Sequence, residues 1–266
     1  MKRFGTLLLA SLLAVACATS PTGRHQLMLV SESQAISASK TAYAQTLKPL
    51  EEEGKVDNDP ALKKRITAIT ERLVAQAVKM RPETAKWEWS IKVIDDPETV
   101  NAWCMAGGKM AIYTGLIQQI DPSDDEIAQV MGHEIAHALA NHQAEKMSVA
   151  LATTVGVVAA GAMSDRPGLT ITAASAAAAL AIKLPNSRTA ESEADRIGIE
   201  LAAKAGYDPR AAVTLWEKMG KVGGNAPPQF LSTHPSPANR KQALEALVPQ
   251  MLPYYESKEP RPTFKL

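Results

Sequence analysis

Cysteine is nearly missing from this chain, which has only Cys17 and Cys104 among its 266 residues. A disulfide framework is excluded, so stability has to come from an apolar core or a bound ion. An excess of positive charge is missing too. The 29 lysines and arginines face 28 aspartates and glutamates, and a chain so balanced is not a nucleic-acid binder. Every uncharged apolar run falls short of the roughly 20 residues a bilayer-spanning helix uses, and no internal repeat is visible. Histidine is scarce, five in all. What is plentiful is apolar side chain, 45% of residues, enough for one sizeable folded domain.

Lys2 and Arg3 precede an apolar run from Phe4 to Ala16, the layout of an export signal. The run closes on Leu13-Ala14-Val15-Ala16-Cys17, where small residues before a cysteine resemble the lipobox of bacterial lipoproteins. Residues 1–16 are then a lipoprotein signal peptide, Cys17 the acylated first residue of the mature chain, and 17–30 a polar tether. A plain secretory signal or a membrane anchor is the alternative. Loss of residues 1–16 leaves 27 basic against 28 acidic residues, and with Cys17 on lipid, Cys104 has no partner for an intrachain bridge. No acidic residue follows Cys17 directly, which by analogy with lipoprotein sorting points to the outer membrane. The expected location is the periplasm, lipid-anchored.

Residues 31–255 read as one α+β domain, mostly helical, followed by a C-terminal tail, 256–266, on the surface. Ser31 with Gln34 makes a capping box for a helix over 31–53, and Asp59-Pro60 opens another to about Met80. Trp87, Trp89, Ile91 and Val93 alternate with polar residues as in a strand. Asn101 to Met105, then Gly107-Gly108, then Lys109 to Tyr113 read as strand, glycine turn and strand, a small sheet whose edge runs beside the next helix. The stretch 147–184 is apolar on both sides of Asp165-Arg166-Pro167-Gly168; a packed hairpin, a membrane-interface element and a lid all fit it. Helices follow over 189–205, from Asp208-Pro209, and from about Ser236 to Gln250.

The chemistry centres on Gly132-His133-Glu134-Ile135-Ala136-His137. On a helix, which Ile127, Val130, Met131, Ile135 and Leu139 mark by their spacing, His133 and His137 share a face and can grip one metal. Glu134 lies about 100° round the axis, able to meet a water there without ligating. This is the H-E-x-x-H pattern of zinc peptidases. A catalytic zinc needs a third protein ligand and an open corner for water. Glu191 and Asp195, a turn apart on a predicted helix, offer a ligand and an acceptor that orients a ligand histidine. By spacing alone Glu193 serves as well as Glu191, and His234 before Pro235 reads as an ordinary loop histidine.

Gly132 to His137, together with Ser187-Arg188-x-x-Glu191-x-x-Ala194-Asp195, resembles the zinc metallopeptidase family of the HtpX heat-shock protease and the CAAX prenyl endopeptidases. Asn101-Ala102-Trp103 with Gly107-Gly108-Lys109, and His234-Pro235 with Arg240, match further blocks of it. Matching blocks run from about residue 60 to 245. The lipobox places the chain near the periplasmic lipoprotein branch, similar to LoiP and YcaL. The resemblance implies a gluzincin-like domain with one Zn2+ held by His133, His137 and Glu191, Glu134 as base, and Asp195 supporting a ligand. It also implies that His234 and Arg240 stabilise the oxyanion. Ala106 stands where the family usually has proline before the glycine pair.

Substrate is expected to add as a strand along the segment of Asn101, Gly107, Gly108, Lys109, Met110, Ala111 and Ile112, since main-chain pairing grips any extended peptide. That favours unfolded chains. The expected function is a zinc endopeptidase for unfolded or misassembled cell-envelope proteins. The alternative is a non-catalytic, zinc-stabilised assembly factor for outer-membrane machinery.

Overall fold

Asp59 starts the first long core helix by accepting from the Ala61 and Leu62 N–H groups, with Pro60 at the first helical position, where a missing N–H costs nothing. The computed structural model describes residues 17–162, 187–222, 229–234 and 239–266. The expected signal peptide and the second half of the apolar stretch 147–184 lie outside these residues. The chain divides into two units, residues 1–35 with 141–184, and residues 36–140 with 185–266.

In the first unit, residues expected to be a spacer form a hairpin. β1 (Cys17–Thr19) pairs antiparallel with β2 (His25–Leu27), Cys17 opposite Leu27. The turn closes through Gly23 N–H to Ser20 O, 2.9 Å. Arg24 then grips Glu145 through two bonds of 2.7 and 2.6 Å, and Gln26 adds a third of 2.9 Å. A polar composition reads as a tether when its partner is about 120 positions away. Glu145 stands on a helix, His142–Ala162, whose Val149, Leu151, Val155 and Val158 are exposed.

α1 (Glu32–Glu52) begins in the first unit and continues in the second. Ser31 and Gln34 cap it reciprocally, backbone N–H to side chain, at 2.8 and 3.2 Å. α2 (Pro60–Met80) buries Ile66, Ile69, Leu73 and Val74. A 3-10 turn, Pro82–Lys86, delays the next strand: Trp87 N–H and Trp89 Nε1 both donate to Thr84 O, at 3.0 and 2.8 Å. The strand expected from Trp87 therefore starts at Ser90.

β3 (Ser90–Ile94), β4 (Ala102–Met105) and β5 (Lys109–Tyr113) form a sheet in the order β3-β5-β4. β5 runs parallel to β3 and antiparallel to β4. Gly107 and Gly108 make the β4–β5 turn with φ of 83° and 79°, values that an L side chain resists. This order bears on the segment expected to take substrate. Lys109 to Ile112 lie in the central strand, paired on both sides, and Met110, Ala111 and Ile112 are fully buried. Asn101 spends its Oδ1 on the Ala102 N–H, 3.0 Å. β3 and β4 are the outer strands of this sheet.

α3 (Thr114–Ile120), α4 (Asp124–Leu139), α5 (His142–Ala162, the helix of Glu145), α6 (Arg188–Lys204), α7 (Ala211–Met219), α8 (Gln229–Thr233) and α9 (Arg240–Glu256) complete the described helices. The fold is α+β and mostly helical. The tail expected on the surface returns to the core. Phe264 N–H donates to Glu71 O at 3.0 Å, and Phe264 and Leu266 pack against the main apolar cluster.

Candidate active site

α4 is set by a full capping box: Ser123 Oγ accepts from the Glu126 N–H at 3.2 Å and the Ser123 N–H donates to Glu126 Oε2 at 2.9 Å. Asp124, Asp125 and Glu126 fill its first turn, where carboxylates meet the positive end of the helix dipole. From this start His133 and His137 fall on one face, and their Nε2 atoms meet at 3.1 Å. α6 begins at Ser187, whose Oγ accepts from the Ala190 N–H at 3.1 Å. Glu191 and Asp195 leave it a turn apart.

The two helices touch backbone to backbone. A Cβ at Gly198 would lie 2.7 Å from His133 N, and one at Gly132 would lie 2.8 Å from Gly198 O. That approach brings Glu191 Oε2 to 3.2 Å from His133 Nε2 and Glu191 Oε1 to 3.4 Å from His137 Nε2. Glu191 is fully buried. Four-coordinate donors about 2.0–2.1 Å from one cation lie roughly 3.3 Å apart; the separations of 3.1, 3.2 and 3.4 Å fit that spacing. Glu191, not Glu193, joins the group of possible ligand atoms.

Asp195 Oδ1 is 3.0 Å from His133 Nδ1. A proton held there leaves the Nε2 lone pair facing Glu191 and His137. Burial opposes charge on His133, but hydrogen bonds to Asp195 and Glu191 and the Glu191 charge outweigh it and raise its pKa to about 9. Burial likewise opposes charge on Glu191, yet bonds from His133, His137 and His234 hold its carboxyl far below the usual range. Burial pushes the Glu134 carboxyl up, against the opposing pull of His234 and His133. Glu134 accepts a hydrogen bond from the Cys104 backbone N–H on β4, and its Oε1 has no hydrogen-bond partner among the described residues.

His234 and Arg240 sit differently from the expected oxyanion pair. His234 Nδ1 is 3.3 Å from His133 Nε2 and 3.1 Å from Glu191 Oε1, so it supplies a fourth ligand-type atom, all four within 4.8 Å of one another. Its Nε2 is 3.4 Å from Glu134 Oε1. The corner expected to be left to water thus has a histidine beside it. Arg240 lies behind the ligands and bonds Asp195 Oδ1 at 2.6 Å and Glu191 Oε2 at 3.4 Å. These contacts turn its guanidinium toward those carboxylates.

The sequence reading missed three contributors. Cys104 acts through its backbone, Phe230 stacks on His234 with ring centroids 4.6 Å apart, and Trp216 lies under Arg240 with 3.7 Å from guanidinium carbon to ring centroid. Aromatics at helical spacing carry no signal beyond core, so nothing in the sequence singled them out.

Comparison with known proteins agrees with this arrangement. The model of peptidase family M48 matches residues 60–248. The chain is 43% identical over 158 residues to the mitochondrial metalloendopeptidase OMA1 of Arabidopsis thaliana, covering 59% of this chain and 31% of that protein. It is 32% identical over 266 residues to OMA1 of Homo sapiens, covering 92% of this chain and 50% of that protein. With the β-barrel assembly-enhancing protease of Escherichia coli it shares 28% over 205 residues, 74% of this chain and 41% of that one. The chain thus spans half or less of the length of these relatives.

These likenesses overturn the expected periplasmic, lipid-anchored location at the outer membrane. The relatives at 43% and 32% identity are mitochondrial by name, and the bacterial protease is less similar. Among the described residues no helix is long and apolar enough to cross a membrane. Two histidines a turn apart, a glutamate between them and a carboxylate from a second helix are what a metallopeptidase requires, and the family match covers all of them: the chain belongs to peptidase family M48.

Proposed function

We propose that this chain is a zinc-dependent endopeptidase acting on unfolded or misassembled polypeptides, with His133, His137 and Glu191 holding the ion and Glu134 as general base. One observation carries the reading. Beside three ligand-type atoms spaced for a tetrahedral cation stands a buried carboxylate, Glu134, whose Oε1 has no hydrogen-bond partner among the described residues and whose pKa is raised by burial. A structural metal site has no use for such a group; a proton-transferring one does.

Zinc, when bound, supplies Lewis-acid polarisation of a peptide carbonyl and makes water acidic enough to lose a proton near neutral pH. Glu134 takes that proton on Oε1 and returns it to the leaving amine. The Cys104 N–H keeps the carboxylate aimed, and Asp195 keeps His133 in the ligating tautomer. An extended substrate pairs along β4, the edge strand next to Glu134, and main-chain pairing favours unfolded chains over particular sequences. His234, once it turns from Glu191, offers an N–H to the developing oxyanion.

A second reading, a zinc-stabilised assembly factor without turnover, draws on one observation: His234 Nδ1 completes four ligand-type atoms, as closed structural sites do. The two separate in one experiment. Glu134→Gln is expected to keep one zinc per chain and to lower cleavage of an unfolded casein substrate by about 100-fold or more. Equal turnover by wild type and variant, with contaminating protease excluded, would sink the catalytic reading. Zinc-dependent melting with no turnover in the wild type favours the second.

A further inference from the structure

We infer that Trp216 is a positioning residue of the metal site, acting through Arg240; the inference rests on the zinc reading above. Arg240 is buried at 4% exposure and reaches two carboxylates of α6, Asp195 and Glu191. Nη2 bonds Asp195 Oδ1 at 2.6 Å and is 3.3 Å from His133 Nδ1, while Nη1 is 3.4 Å from Glu191 Oε2. One guanidinium thus ties the acceptor that orients His133 to the carboxylate that closes the ligand set.

What keeps the guanidinium there is on its other side. Its central carbon lies over the Trp216 ring, 3.7 Å from the centroid, and cation–π attraction is strongest where water is excluded. Arg240 is the first residue of α9. A void of about 20 Å³ adjoins the same place, lined by Trp216, Phe230, Arg240, Asp195 and His133 among others. The indole walls that void. With a smaller or faceless side chain at 216, the guanidinium gains room to swing off Asp195 and Glu191. The indole itself is backed by Phe230, ring centroids 6.1 Å apart, and Phe230 is pinned by its N–H to Val100 O at 3.1 Å.

The test is zinc affinity of the full chain by competition with a chelator, for wild type, Trp216→Phe, Trp216→Met, Arg240→Met and the Trp216→Met/Arg240→Met double variant, with the melting temperature of each metal-free protein. Phenylalanine and methionine both lose volume, but only phenylalanine keeps a ring face. Trp216→Met is expected to weaken zinc about 10-fold, the lower end for a group that orients ligands, and Trp216→Phe less than about 3-fold. In the Arg240→Met background Trp216→Met should add nothing, because the coupling runs through the guanidinium. Equal losses for Phe and Met, or losses that add in the double variant, overturn the inference and leave Trp216 as packing. Should Trp216→Met not fold, the Arg240 δ-methylene protons of the wild type decide by NMR: an upfield ring-current shift is expected, and its absence overturns the inference. A wild type that takes up no zinc defeats the reading of the site itself. Normal zinc uptake with an unchanged Trp216→Met defeats only the role of Trp216.

Discussion

Asp195 touches none of the other ligand-type atoms through the face it turns to His133; it acts by holding a proton on Nδ1, 3.0 Å away. Asp195→Asn keeps the shape but replaces a pure acceptor with a group that can present N–H instead. The expected result is a zinc affinity lower by about 10- to 100-fold, measured by chelator competition, with melting of the metal-free protein changed far less. Unaltered affinity would remove Asp195 from the site. At this scale much was legible. His133, Glu134 and His137 announce themselves because a helix converts fixed spacing into a shared face, and Glu191 with Asp195 repeat that logic. Arg240 was legible as present but not as placed, since its direction is set by Trp216 and Asp195, which belong to two other helices.

Helices α4 and α6 carry the site, and their contact is the point where it is most fragile. A methyl at Gly198 would stand 2.7 to 2.8 Å from the His133 backbone, nearer than real Cβ contacts allow. Gly198→Ala should push the helices apart, lower the melting temperature by several degrees at a cost of about 1–3 kcal/mol, and weaken zinc in parallel; a stable, tightly zinc-binding variant would show that the helices have slack. The start of α4 makes a separate, pH-dependent prediction. Burial would raise the Glu126 pKa, but Lys218, the Ser123 backbone and Thr214 more than offset it and lower it, through bonds of 2.7, 2.9 and 2.8 Å. A carboxyl with a lowered folded pKa stabilises above its unfolded value of about 4.5 and loses that contribution as pH falls through the folded value. Glu126→Gln should therefore cost about 2 kcal/mol at pH 7 and progressively less below pH 4, read from urea unfolding at each pH. A penalty constant with pH would mean packing, not charge, is lost. The contacts with Lys218 and Thr214, about 90 positions on, could not be read from sequence.

For the molecule as a whole, the site joins α4, α6 and the segment ending at His234, so an ion there links parts of the chain far apart in sequence. Removing it should cost stability by mass action. With free zinc at about 1,000 times its dissociation constant the stabilisation is roughly 4 kcal/mol, and chelation should lower the melting temperature accordingly, with full recovery on adding zinc back. A melting temperature indifferent to zinc would argue that the ion binds folded and unfolded chain alike, or not at all. The residues by themselves determined what is local: helix starts at Ser31 and Asp59, the glycine turn at 107 and 108, and the pairing of histidines and acids along two helices, because each depends on neighbours within a turn or so. Tertiary structure alone decided that β5 lies between β3 and β4. It also decided that Arg24 and Gln26 bond Glu145, that His234 reaches the ligand group, and that Arg240 meets Asp195 and Glu191. Each of these is a contact between segments distant in the chain, and the free energy that selects it comes from burial and charge pairing that no single segment contains.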